Sequence, residues 1–218
     1  MMPDTIPPRA SGDYVTLAAR DGGSFRAYCA RPADRSGPGL VILQEIFGVT
    51  ADLRALSERY AEEGYVVLVP DLFWRIEPGI ELGHDERGLQ QAFALHRRFD
   101  EARAVEDVAD TVAALRAMPE QVGGVGCLGF CLGGKLAYLA AARTDVDCAI
   151  GYYGLGIENA LDEAARIRVP LMLPYRRRRR LLPARSAGGD RRRVPRQRGR
   201  RDPRLSRLRA RVRLGGAP

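Results

Sequence analysis

The sequence is poor in the residues and segments that would indicate a metal site, a disulfide scaffold or a membrane span. Two histidines and four cysteines occur among 218 residues, and no two cysteines form a CxxC pair. This argues against a zinc site or a disulfide framework and favours reduced thiols in a cytoplasm. No apolar run reaches the roughly 18 residues that a membrane helix needs. Residues 1–10 lack the basic-then-apolar design of a secretory signal.

Charge is distributed very unevenly along the chain. Residues 174–218 contain 18 arginines and two acidic residues, which gives them a net charge of +16. The whole chain has a net charge of +8, so residues 1–173 carry −8. Such a basic tail, with almost no apolar periodicity, is typical of a disordered segment. It could neutralise phosphates of a nucleic acid. Apart from Tyr175 it has no aromatic residues to stack on bases, so nucleic-acid binding is the minor interpretation.

Residues 1–173 alternate between short apolar segments and stretches of helical periodicity. The pattern predicts strands at Tyr14–Leu17, Phe25–Ala30, Gly39–Leu43, Tyr65–Val69, Gly124–Leu128, Asp147–Gly151 and Val169–Leu173. It predicts helices at Ala51–Glu63 and Gly133–Ala142, and two more between Asp85 and Met118. Continuously apolar strands alternating with helices indicate one α/β domain, a doubly wound and mostly parallel sheet flanked by helices.

The segment Gly129-Phe130-Cys131-Leu132-Gly133-Gly134 follows a predicted strand and opens a predicted helix. This is the context of a nucleophile elbow, G-x-S-x-G, with cysteine in the serine position. The helix N-terminus favours a thiolate, and the Leu132 N–H can point at a developing oxyanion. The alternative is a small buried cysteine in a glycine turn.

A second segment, Gln44-Glu45-Ile46-Phe47-Gly48, directly follows a buried strand. An α/β-hydrolase places its second oxyanion donor here, and we assign that donor to the Ile46 N–H. A carboxylate at the end of an apolar strand is costly unless it is paired or used. Glu45 is therefore a candidate functional residue, and the alternative is a salt-bridged surface acid.

Together these segments resemble the dienelactone hydrolase (carboxymethylenebutenolidase) family. The resemblance runs over about residues 13–173. Its motifs are Gln44–Gly48, Pro70–Leu72, Asp85–Arg87, Gly129–Gly134 and Gly151–Gly154. It implies an α/β-hydrolase that cleaves a small-molecule ester or lactone with a Cys–His–Asp triad. It also implies that Glu45 holds and helps to activate the Cys131 thiol before substrate binds.

The resemblance further assigns a substrate pocket. The predicted pocket residues are Phe47, Arg87, Leu89, Phe93 and Tyr152. Leu89 stands where family members acting on the dienelactone carboxylate have an arginine, and such an arginine forms a strong charge-assisted pair. Either another residue such as Arg87 takes the carboxylate, or the natural substrate is a different ester. We expect a monomer without a metal or other cofactor.

The triad partners that this resemblance implies have no counterpart in the sequence after Cys131. The two histidines, His84 and His96, both precede it, and we expect them at solvated positions of a loop or helix. If the arginines use CGN codons, reading one base later lets Arg176–Ala184 conceal Ala-Gly-Asp-Asp-Asp-Phe-Cys-Pro-Pro. The same shift lets Leu205–Arg213 conceal Tyr-Pro-Gly-Cys and His-Ala-Phe. These resemble the acid and histidine loops of the family.

We therefore predict a frameshift near Leu173–Tyr175. Residues 174–218 would then not belong to the hydrolase domain, and its C-terminal strand and helix would be missing or disordered. The chain as written would fold poorly and hydrolyse little substrate. A catalytically dead α/β-hydrolase scaffold remains an alternative interpretation.

Overall fold

The computed structural model describes residues 11–33 and 36–174. Seven strands form one sheet: β1 (Ser11–Ala18), β2 (Ser24–Arg31), β3 (Gly37–Leu43), β4 (Val66–Pro70), β5 (Gln121–Phe130), β6 (Cys148–Tyr152) and β7 (Leu171–Met172). The α-helices are α1 (Ala51–Glu62), α2 (Glu86–His96), α3 (Glu101–Arg116) and α4 (Leu132–Arg143). Two short 3-10 helices, Ile157–Asn159 and Leu161–Ala165, follow β6.

The strands lie in the order β1-β2-β4-β3-β5-β6-β7. The β1–β2 and β2–β4 pairs are antiparallel, whereas β4, β3, β5, β6 and β7 run parallel. The predicted doubly wound, mostly parallel sheet is confirmed. All five residues of β4 are buried, and so are Leu40–Leu43 of β3, as expected of strands covered on both faces.

Helices cover both faces of the sheet. On one face Leu53 and Ala61 of α1 pack with Ile42, Val67 and Leu128. On the other, α3 and α4 contact β3 and β5, and α3 also contacts α4. The carboxyl ends of the central parallel strands lie at one edge of this covered sheet. In α/β proteins, ligands bind in the crevice just outside those ends.

The start of α4 differs from that of the other helices. Thr50, Asp85 and Asp100 cap α1, α2 and α3 with side-chain oxygens that accept backbone N–H groups. Cys131 precedes α4 without capping it. Cys131 is also the single residue between the end of β5 and the start of α4, so no loop separates this strand from this helix.

The last described strand is shorter than predicted. A strand was predicted over Val169–Leu173, but β7 comprises Leu171–Met172. Pro170 has no N–H to donate to a ladder, although its carbonyl accepts the Ala149 N–H at 3.0 Å. The predicted arginine-rich segment 174–218 lies outside the described residues, apart from Pro174. The predicted frameshift and the predicted loss of a C-terminal strand and helix concern the same segment. No helix in the described part of the chain is long and apolar enough to cross a membrane.

Candidate active site

Cys131 stands in a strained turn between β5 and α4. Its φ is 51° and its ψ −111°, a conformation that costs of the order of 1–3 kcal/mol for a non-glycine residue. Neighbouring glycines make the turn possible, because a Cβ on Gly129 would lie 1.9 Å from the Gly133 carbonyl oxygen. A Cβ on Gly134 would lie 2.4 Å from the Tyr152 oxygen. The predicted strand–turn–helix geometry of an elbow is present.

Backbone hydrogen bonds fix the elbow against the neighbouring strands. The Cys131 N–H donates to the Tyr152 carbonyl at 3.1 Å, and the Gly133 N–H donates to the Gln44 carbonyl at 3.0 Å. The second bond sets the start of α4 beside the turn that contains Ile46. Among the described residues the Ile46 N–H has no hydrogen-bond partner, so it is available to an oxygen atom of a ligand.

The electrostatics at Cys131 favour a neutral thiol in the resting site. Burial raises the pKa of Cys131, and the nearby Glu45 carboxylate raises it further. The Leu132 N–H has the opposite effect on this pKa, because it donates toward the sulfur. Sequence reasoning paired Cys131 with Glu45 and Leu132, and the structure brings all three together.

Tyr153 is a further site residue, which the sequence reasoning did not select. Its hydroxyl donates to Glu45 Oε1 at 3.3 Å, and its φ of 40° is strained. Burial and the neighbouring Glu45 and Cys131 raise the pKa of Tyr153 to about 12. The Gly151-Tyr152-Tyr153-Gly154 motif was the available signal, but it does not show which tyrosine faces Glu45.

A cavity of about 200 Å³ opens beside this group. Rings and aliphatic side chains form most of its wall: Phe47, Leu53, Leu56, His84, Phe130 and Tyr153. Glu45, Gly48, Thr50 and Asp52 complete the lining. The His84 ring packs on Phe47 with centroids 4.3 Å apart, so this exposed histidine has a place in the cavity that sequence reasoning did not give it.

The predicted pocket residues are divided between two places. Phe47 lines the cavity, and Tyr152 stacks on the lining residue Phe130 with centroids 5.2 Å apart. Arg87, Leu89 and Phe93 lie exposed on α2, outside the lining of this cavity. Their assignment to the substrate pocket stays a prediction.

Comparison with known proteins identifies the family to which this chain belongs. The model of the dienelactone hydrolase family matches residues 25–187. The chain belongs to the dienelactone hydrolase family. It is 42% identical over 163 residues to carboxymethylenebutenolidase 1 of Cupriavidus pinatubonensis, covering 73% of this chain and 69% of that protein. It is 39% identical over 159 residues to a carboxymethylenebutenolidase of Pseudomonas putida, covering 72% and 67%.

The sheet and its helices also resemble solved members of the dienelactone hydrolase family. A dienelactone hydrolase from Anabaena variabilis superposes with a TM-score of 0.58 at 18% identity, over 76% of this chain and 73% of that one. At this identity the likeness shows the fold alone. The family model and the relatives establish the chain as an ester or lactone hydrolase of the α/β-hydrolase class.

Proposed function

We propose that the chain derives from a cysteine hydrolase in which Cys131 attacks the carbonyl carbon of an ester or lactone. The observation that carries this proposal is the strained elbow at Cys131, whose sulfur faces the Leu132 N–H. Strain at a non-glycine residue persists where the surrounding structure enforces it, and such residues cluster at active sites. The carboxymethylenebutenolidases among its relatives support a lactone as one substrate.

The reaction follows from the donors around the sulfur. Attack forms an S–C bond and moves the carbonyl electron pair onto oxygen, where the Leu132 and Ile46 N–H groups stabilise the negative charge. Collapse of this intermediate breaks the C–O bond, and the leaving oxygen takes up the proton that the thiol lost, which gives an alcohol group. This group remains attached to the product if the substrate is a lactone. Water then cleaves the thioester and regenerates the Cys131 thiol.

Glu45 has a specific part in this scheme. Its carboxylate lies close enough to raise the pKa of Cys131, and Tyr153 donates a hydrogen bond to it. We assign Glu45 to holding the neutral thiol before substrate arrives and to accepting its proton when attack begins. Tyr153 positions the carboxylate for this role.

The thioester step needs a general base that the sequence after Cys131 does not supply, because both histidines precede it. We propose that the shifted frame of residues 174–218 once encoded the acid and histidine of a triad. The chain as written would then form a thioester but release it slowly. A positioned general base contributes about 10²–10⁴-fold.

The test uses a chain in which the shifted frame is restored across the codons near Leu173–Tyr175. Alkylation of Cys131 is expected to abolish hydrolysis of p-nitrophenyl acetate, and Cys131→Ala is expected to have the same effect. The matched control is Cys148→Ala, since Cys148 is exposed at the far end of β6. Full hydrolysis by the Cys131→Ala chain would overturn the proposal.

A further inference from the structure

The cavity lined by Glu45 and Tyr153, two residues that interact electrostatically with Cys131, is suited to a small apolar group. Four rings, from Phe47, His84, Phe130 and Tyr153, and the side chains of Leu53 and Leu56 line its volume of about 200 Å³. A cavity of about 150 Å³ lined by apolar side chains holds a benzene molecule. An aromatic ring or a short aliphatic chain is therefore of a size to fill this space.

Apart from His84, the ionisable side chains that line the cavity in the described part of the chain are carboxylates. Glu45 and Asp52 contribute carboxylates, and none of the described lining residues is a lysine or an arginine. His84 is the lining residue that could carry a positive charge, and it is exposed to solvent. A carboxylate entering this cavity would therefore meet two like charges in a partly apolar surrounding.

Within the described part of the chain, Arg54 and the start of α1, both beside lining residues of the cavity, are already engaged by a carboxylate of the protein. Arg54 pairs with Glu81 at 2.8 and 3.1 Å and also donates to the Val49 carbonyl. The Ala51 N–H, at the positive end of α1, donates to Glu81 Oε1 at 2.9 Å. These groups offer little attraction to a negatively charged ligand.

We infer that the cavity selects uncharged substrates: it takes the aromatic or short aliphatic group of a neutral ester or lactone and discriminates against one that places a carboxylate there. The inference rests on the proposed role of Cys131 as nucleophile. Like-charge repulsion by Glu45 and Asp52 supplies the discrimination, and the rings supply the affinity for the apolar group.

A matched pair of thiol reagents tests this selectivity without requiring turnover. Iodoacetamide and iodoacetate react alike: the thiolate forms an S–C bond, the C–I bond breaks and iodide leaves. They differ in one negative charge. Alkylation of each cysteine is followed by peptide mass spectrometry in the folded 218-residue chain and in the same chain unfolded in urea, at one pH. The ratio of the iodoacetate to the iodoacetamide rate at Cys131 is the readout.

Folding is expected to lower this ratio at Cys131 by about three- to tenfold, since one like charge at cavity distances is worth about 1 kcal/mol. Asp52→Asn should recover part of the lost ratio because it removes a negative charge, and Asp52→Lys should recover more because it adds a positive one. Both replacements fit, since Asp52 is exposed. Asp162→Asn is the matched control, an exposed carboxylate outside the cavity lining.

The outcomes separate this inference from the proposed function. A ratio at Cys131 that folding leaves unchanged or raises overturns the selectivity while leaving Cys131 as a reactive thiol. The same conclusion follows if the Asp52 variants behave like Asp162→Asn. Failure of both reagents at Cys131 in the folded chain, while the exposed Cys148 reacts, contradicts the role of Cys131 as nucleophile itself.

Discussion

The protonation state of Cys131 depends on the groups placed around its sulfur. Burial and the Glu45 carboxylate both raise the pKa of this thiol, and the Leu132 N–H lowers it without reversing the balance. The resting sulfur is therefore a neutral thiol, which is oxidised less readily than a thiolate. An attacking thiolate must be generated when substrate is present.

Replacing Glu45 by Gln is expected to shift the pH dependence of Cys131 alkylation to lower pH. A negative neighbour disfavours the thiolate, so its removal lowers the pKa of Cys131 and raises the rate below that pKa. The measurement is the iodoacetamide rate at Cys131 as a function of pH. Glu106→Gln, at a partly exposed position on α3, should leave the profile unchanged. An unshifted profile in Glu45→Gln would show that the two groups are not coupled.

Residues within short motifs could be predicted from the sequence, whereas residues brought together by folding could not. Cys131 and Leu132 are adjacent, and Glu45 follows a buried strand, so their roles were readable. Tyr153 reaches Glu45 across 108 positions of sequence. His84 reaches the cavity because the loop after β4 returns to the Phe47 turn, where the Leu82 N–H donates to the Phe47 carbonyl. No local pattern encodes either approach.

At the scale of elements, the nucleophile elbow requires glycine at position 129. A Cβ there would lie 1.9 Å from the backbone oxygen of Gly133, which cannot move without displacing α4. Gly129→Ala is expected to lower the free energy of unfolding by about 3 kcal/mol or more and to abolish specific alkylation at Cys131. Urea denaturation and labelling measure the two effects.

Gly124 provides the matched control on the same strand. A Cβ at Gly124 would lie 3.2 Å from Asp147 Oδ2, an oxygen that accepts hydrogen bonds from the Val125 N–H and from Arg116. Gly124→Ala needs a shift of only a few tenths of an ångström at this contact and should therefore cost clearly less stability than Gly129→Ala. Equal effects of the two substitutions would contradict the assignment of the close contact to the elbow.

An ionic cluster fastens the loop after β4 to α3. Asp107 is fully buried and accepts hydrogen bonds from Trp74 Nε1 at 2.9 Å and from Arg75 Nε and Nη2 at 3.0 and 2.7 Å. Asp107→Ala leaves these donors without their acceptor and should cost about 2–4 kcal/mol in urea denaturation. Glu106→Ala, next to it on α3, removes an exposed pair with Arg103 and should cost about 1 kcal/mol or less. Similar costs at both positions would refute this role of Asp107.

Element order was predictable because the buried strands and amphipathic helices have distinct periods. Gly39–Leu43 is apolar throughout, and α1 has its buried residues at Leu53, Ser57 and Ala61. Element ends were less readable. No local pattern indicates the extension of β5 back to Gln121, because that end is set by pairing with Gly37 of β3.

At the scale of the whole molecule, buried ionisable groups make the fold sensitive to alkali. Burial raises the pKa of Cys29 to about 11, and burial together with Glu58 raises that of Tyr28 to about 12. Both groups are neutral in the fold and ionise at lower pH when unfolded. For Cys29 the stabilising contribution is therefore complete below the ordinary thiol pKa of 9.0 and is lost as the pH rises toward 11. For Tyr28 it is complete below 10.0 and is lost as the pH rises toward 12.

The expected result is a falling urea midpoint between those pH values. Cys29 alone accounts for about 2–3 kcal/mol, the equivalent of two pKa units. Cys29→Ala should remove that part of the slope even if it lowers stability at neutral pH. A Cys29→Ala chain with the same alkaline slope as the original would show that other groups cause the loss.

The whole chain also determines whether the elbow can turn over substrate. The chain as written and the frame-restored chain share residues 1–173 and therefore the described site. We expect Cys131 to be alkylated in both chains, but p-nitrophenyl acetate hydrolysis to be faster by about 10²–10⁴-fold in the restored chain, because only that chain would supply a general base for the thioester step. A burst of p-nitrophenol without turnover should mark the chain as written. If its steady-state rate equals that of the restored chain, the described residues and the native tail suffice, and the proposed frameshift is wrong.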